Sequence, residues 1–159
     1  MRPFLRFAIA ALITALAGAL SAQAQEDGWR EFDVLGLSVD YPAFLIEESR
    51  DLVAADGTPY GATFLFELGG AYMHAWVARH AGSPYAYVTD AGGAARSVTY
   101  RVDKAELGVW SGYEGSSIFY DMCKRAADPA HLHCMRLYYP ETYREIFDPV
   151  VERAARTLR

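Results

Sequence analysis

The sequence predicts an α+β fold, a mostly antiparallel sheet with helices packed on it, and three observations carry that expectation. Several segments alternate apolar and polar residues with the period of two that marks a half-buried strand. Residues 63–79 contain two strand-like runs joined by Gly69-Gly70, a pair that supplies the positive φ of a tight hairpin turn. Residues 141–159 place Tyr143, Phe147, Val150, Ala154 and Leu158 at helical spacing. Successive hairpins with helices between and after them bury their apolar faces by laying helix on sheet.

The chain opens with Arg2 and Arg6, an apolar run over 7–20, and Ala22-Gln23-Ala24, a small-x-small cleavage pattern. Residues 1–24 therefore read as a secretory signal peptide, and the apolar run is shorter than the ~20 residues of a membrane span. The remaining 25–159 form one expected domain, without repeat, proline-rich linker or low-complexity tract. The protein is expected to be exported, to the periplasm or beyond, with no stable membrane insertion. Losing Arg2 and Arg6 lowers the formal charge from -5 to -7, which argues against nucleic acid as a partner.

Residues 31–41 alternate Leu35, Leu37, Val39 and Tyr41 against Gly36, Ser38 and Asp40, one expected strand ended by Pro42, and 44–48 reads as a short extended piece. In 63–79, pairing Leu68 with Ala71 gives one apolar face, Phe64, Phe66, Leu68, Ala71, Met73, Ala75 and Val77. The opposite face carries Glu67, Tyr72, His74 and Trp76. Ser83-Pro84 opens a short helix that Gly92-Gly93 would end. Strands follow over 97–103, 107–113, 116–123 and 133–139, and Asp148-Pro149 is expected to kink the closing helix or split it in two.

The chain's only cysteines, Cys123 and Cys134, bracket a loop that also holds His131 and His133. Setting Cys123 opposite Cys134 pairs Met122 with Met135, Asp121 with Arg136 and Tyr120 with Leu137, which gathers the apolar side chains on one face and opposes unlike charges on the other. In an oxidising compartment this register predicts a disulfide. A metal site built from Cys123, His131, His133 and Cys134 has suitable ligand types but lacks the usual zinc spacings. The two histidines are expected on the solvated loop or at its junction with the strand, where weak metal binding is their functional reading.

His74, beside Tyr72 and Trp76 with Glu67 diagonally across, suits a ligand-contacting aromatic patch or a histidine–carboxylate pair. Burial beneath a helix is the alternative. Ser111 and Ser116-Ser117 do not fit a Gly-x-Ser-x-Gly elbow, and no phosphate loop, dinucleotide fingerprint, zincin or calcium motif occurs. No cofactor is expected.

The segments GLSVDYPAFL (36–45), VTYRVDKAELGVWSGYEGSSIFY (98–120) and LYYPETYREIFDPVVERAARTLR (137–159) resemble uncharacterised exported bacterial proteins. These are similar in turn to the PsbP-like α/β/α sandwich of photosystem II extrinsic proteins. The resemblance covers most of 25–159 and rests on packing motifs, so it implies a fold and carries no catalytic residue. The expected function is that of a non-catalytic accessory or binding domain docking to a protein partner or membrane complex. The alternative is a small-molecule or metal-binding protein using the Tyr72, His74 and Trp76 face or the His131 and His133 loop.

Overall fold

The computed structural model describes residues 28–53, 59–90 and 95–159. The expected signal peptide and the Gly92-Gly93 helix stop lie outside the described residues. A two-stranded sheet of β1 (Trp29–Val34) and β2 (Leu37–Pro42) precedes seven strands: β3 (Leu45–Val53), β4 (Pro59–Phe66), β5 (Tyr72–Arg79), β6 (Arg96–Lys104), β7 (Leu107–Glu114), β8 (Ser117–Arg125) and β9 (His131–Pro140). These seven form one antiparallel sheet in the order β3-β4-β5-β9-β8-β7-β6. Two three-stranded meanders are thus joined by the last strand, which occupies the centre.

One sheet face packs on the β1–β2 pair and on α2 (Arg144–Thr157), which a 3₁₀ turn at Glu141–Tyr143 introduces. Phe64, Met73, Ala75, Met135 and Leu137 from the sheet meet Leu37, Val39, Phe147 and Val150 there, all fully buried. Phe147 stacks on Tyr139 at 5.0 Å and meets Phe66 edge-on at 5.5 Å. The chain end is tied down as well. The Ser38 amide donates to the Arg159 carbonyl at 2.8 Å, and the Arg159 amide donates back to Ser38 at 2.9 Å. Lys124 Nζ donates to the Ala155 and Leu158 carbonyls, satisfying orphan acceptors at the end of α2. The other face carries α1 (Pro84–Asp90), opened by Ser83 Oγ accepting from the Tyr85 amide, as the Ser-Pro pair predicts.

Three expectations are corrected. Residues 31–41 form a hairpin, because Leu35 and Gly36 both take positive φ and reverse the chain. Alternation survives such a turn unchanged, but Leu35 leaves the core and is 60% exposed. The β4–β5 register pairs Leu65 with Tyr72, two residues from the expected pairing, through a connection over 67–70. An even slip keeps each side chain on its face, so Phe64, Met73 and Ala75 stay buried while Leu68 moves into the connection and is exposed. Finally, of the kink or split expected at Asp148-Pro149 the split does not occur: α2 continues through Pro149 as one element, and Asp148 accepts a hydrogen bond from the Tyr139 hydroxyl at 2.9 Å instead of capping a new helix.

Candidate functional site

The cross-strand registers lay the α1 side of the sheet out in rows. The row through Ile46, Leu65, Tyr72, Tyr138, Phe119, Gly112 and Val98 crosses all seven strands. Its neighbour runs through Thr63, His74, Arg136, Asp121, Trp110 and Arg101, and the next through Gly61, Trp76, Cys134, Cys123 and Gly108. α1 packs on the last of these rows, where Val88 joins Cys123, Cys134 and Leu132 in a small apolar cluster. A Cβ on Gly108 would lie 2.3 Å from the Tyr85 amide nitrogen, so the helix backbone rests directly on this glycine. Among the described residues, no helix covers the first row in this way. Ile46 is half exposed, Leu65, Tyr72 and Tyr138 are half-buried, and the two tyrosine rings stack at 5.3 Å.

Between open strip and helix lies a charge network. Asp121, only 1% exposed, accepts from Arg136 Nε at 2.6 Å and Nη2 at 2.9 Å, a bidentate pair, and from Arg96 Nη1 at 2.8 Å. Arg96 also donates to Glu114 at 3.1 Å and lies over the Phe119 ring at 4.3 Å, which roofs that part of the strip. Burial pulls the Arg136 pKa down, but the hydrogen bond and charge of Asp121 outweigh it and hold the guanidinium above its ordinary value. Burial raises the Tyr72 phenol, partly offset by Arg136. With two guanidiniums on one carboxylate, this network is internally satisfied and rigid.

Cys123 and Cys134 are paired within the ladder as the register predicts, with sulfurs 2.00 Å apart. The strands continue two residues beyond them, through Lys124 with His133 and Arg125 with Leu132, so the bond lies inside the hairpin and is fully buried. His131 therefore begins β9, its Nδ1 2.9 Å from Asp128 Oδ2. His133 is a correction: it is buried on the α2 side, hydrogen-bonded to the Arg159 backbone, with its pKa pushed down by burial. Among the described residues, no group of three or more His, Cys, Asp or Glu is gathered for a metal.

A cavity of about 760 Å³ opens where β4 parts from β5. Their pairing stops at Gly61 with Trp76, so the β5 edge over 77–79 has no partner on that side among the described residues. Side chains from both sheet faces consequently reach the space: Trp76 from one, Val77, Arg79 and His133 from the other, with Tyr60, Tyr87 and Leu35 around them. The Trp76 indole donates to the Tyr87 hydroxyl at 3.2 Å.

The predicted face is thus divided. Tyr72 and His74 share the open rows, their rings 4.7 Å apart, whereas Trp76 is drawn beneath α1 and into the cavity wall. Glu67 lies in the 67–70 connection, and the residue opposite His74 is Thr63. Sequence reasoning paired Asp121 with Arg136 but missed Arg96, which arrives from the start of a non-adjacent strand, and it missed Arg79. Only the positive charge of Arg79 at the end of an apolar strand pointed to it.

No protein-family model and no curated protein sequence matches the chain. Solved structures do. A Mog1 mutant superposes with a TM-score of 0.59 at 6% identity, covering 82% of this chain and 95% of its own. The Ran-binding protein Mog1p of Saccharomyces cerevisiae gives 0.57 at 7%, covering 82% and 94%. Cyanobacterial PsbP (CyanoP) from Synechocystis gives 0.53 at 10%, covering 84% and 93%. The fold is accordingly PsbP/Mog1-like, as the sequence resemblance implies.

Proposed function

We propose that this protein is an exported, non-catalytic binding domain that docks a protein partner through the open rows of the sheet. The observation that carries the reading is the uncovered strip of Ile46, Leu65, Tyr72 and Tyr138 beside α1. An exposed contiguous apolar strip with paired tyrosines suits the core of an interface, where aromatic anchors supply much of the energy. The Asp121 network beneath holds that strip in shape before binding, which lowers the ordering cost of association. Its polar groups engage one another, so the network supplies rigidity and no acid–base chemistry. Export rests on the Arg2, Arg6 and Ala22-Gln23-Ala24 pattern, together with a cysteine pair suited to an oxidising compartment. That Mog1p is a Ran-binding protein supports binding as a use of this fold and names no partner for this chain. Among the described residues, no helix is long and apolar enough to cross a membrane.

The test is affinity capture from a periplasmic fraction with three baits: wild type, Ile46→Glu on the strip, and Glu152→Lys on the exposed side of α2. A specific partner should be held by wild type and E152K and lost about tenfold or more from I46E, the loss expected of an interface anchor. A partner retained equally by I46E would rule out docking through this face.

A further inference from the structure

We propose that the cavity between β4 and β5 is a binding site for a small amphipathic carboxylate, with an aromatic or aliphatic body and one anionic end. Its volume of about 760 Å³ lies within the range of small-molecule sites. Trp76, Tyr60 and Tyr87 give it flat aromatic walls, and Val77 and Ala78 an apolar floor. The indole–hydroxyl bond between Trp76 and Tyr87 fixes two of those walls relative to each other. This is the composition expected of a site that buries a hydrocarbon body and orients it with few polar groups.

The charge at the site selects the other end of the ligand. Arg79 lines the cavity and makes no hydrogen bond or ion pair with any described residue, whereas the other arginine of this region, Arg125, is spent on the His80, Gly82 and Pro129 carbonyls. Among the described residues the one carboxylate in the lining, Asp128, is hydrogen-bonded by the Ala130 amide at 2.9 Å and by His131 at 2.9 Å, and it feels the Arg79 charge without forming an ion pair with it. A guanidinium whose hydrogen-bond donors no described carboxylate takes up can receive an anion, and its planar fork matches a carboxylate. At the rim stands Leu35, a non-glycine residue at φ 48° with its side chain 60% exposed. Strained backbone that turns an apolar side chain outward at a cavity mouth is the kind of feature found at ligand sites. This site lies off the open strip and does not depend on the docking reading.

The experiment titrates the purified protein with 1-naphthaleneacetate and with its alcohol and amine counterparts, followed by calorimetry and by the indole N–H resonance of Trp76. The acid should bind and shift the Trp76 signal, the alcohol should bind about tenfold more weakly for want of the charge-assisted hydrogen bonds, and the amine should be weakest. Arg79→Gln should reduce acid binding to the level of the alcohol and leave the alcohol unchanged. Ala126→Trp, which fills the cavity from its rim loop, should abolish both with the circular dichroism spectrum intact. No Trp76 shift with any of the three probes, equal affinity for acid and amine, or acid binding untouched by R79Q would each overturn the proposal.

Discussion

Beneath α2, the sheet meets its partners mainly through hydrocarbon, with Phe64, Met73, Met135, Leu137 and Phe147 all at 0% exposure, and the polar contacts to the helix are few, Tyr139 with Asp148, Arg153 with Asp40 and Lys124 at the helix end. Across the same strands, on the α1 side, Asp121 is almost as deeply buried but meets two guanidiniums, and the short helix covers only the disulfide row. Burying apolar surface is favourable wherever shapes interlock, so the α2 side closes fully with a long amphipathic helix. A buried ion network is favourable only while complete, and it leaves the surface above it open. One face therefore secures the fold, and the other presents a flat, fixed surface.

The sharpest way to break this contrast is Asp121→Ala. Two arginines would remain beside a half-buried surface with no carboxylate, and removing one partner of a buried pair costs about 3–5 kcal/mol. Urea unfolding should show that loss. Replacing the whole network, with Asp121→Leu, Arg96→Met and Arg136→Met together, should recover most of it, because the desolvation penalty disappears with the charges. No equivalent repair exists for Phe147→Ala, expected to cost about 3–5 kcal/mol through the cavity it leaves. A D121A loss below about 1 kcal/mol would mean that water screens the network and that the two faces are built alike.

The next test separates the helices. Gly108→Ala puts a methyl group 2.3 to 2.5 Å from backbone atoms of Pro84 and Tyr85, and a helix backbone cannot yield as a flexible side chain can. Overpacking of this kind costs about 1–3 kcal/mol. The displacement should appear as weakened contact between Trp76 and Tyr87 in tryptophan fluorescence, while amide hydrogen exchange in α2 stays slow. Accelerated exchange in both helices would show that the two layers unfold as one unit.

Much of this contrast was legible in the sequence wherever periodicity and register speak. Setting Cys123 opposite Cys134 fixed the pairs flanking them, because that register gathers Met122, Met135 and Leu137 on a single face and also opposes Asp121 to Arg136. The Ser83-Pro84 helix start followed from equally local chemistry. Leu35-Gly36 did not, since a two-residue turn leaves apolar alternation intact on both sides of it and a leucine at positive φ carries no turn signature. At Pro149, where a kink or a split is expected, the split does not occur. A proline ordinarily interrupts a helix, but here the burial of Phe147, Val150 and Ala154 on the sheet outweighs the missing hydrogen bond. The candidate site was only half visible: Tyr72, His74 and Trp76 share one strand, whereas Arg96 and the divergence of β4 from β5 are products of topology.

The smallest expected effect lies where the α2 side does admit a polar group. His133 stands opposite Lys124 on β8 and Val77 on β5, near His131, and bonds to the Arg159 backbone. Burial holds its pKa below the ordinary value of about 6.5, the hydrogen bond only partly offsetting it. At neutral pH the imidazole is uncharged in both the folded and the unfolded chain. As pH falls through about 6.5, the unfolded chain binds a proton that the folded chain declines, so stability decreases until the folded group also titrates. Lys124, lowered by burial but still a lysine, does not titrate in that window, and Asp128, held below the ordinary carboxylate value by the Ala130 amide and His131, contributes only at more acid pH. His133→Gln should therefore flatten the decline in urea midpoint between about pH 7 and pH 5 and leave the acid limb in place. An unchanged slope in the variant would mean that His133 titrates alike in the folded and unfolded chain, so that water reaches it and the face beneath α2 is open at that point.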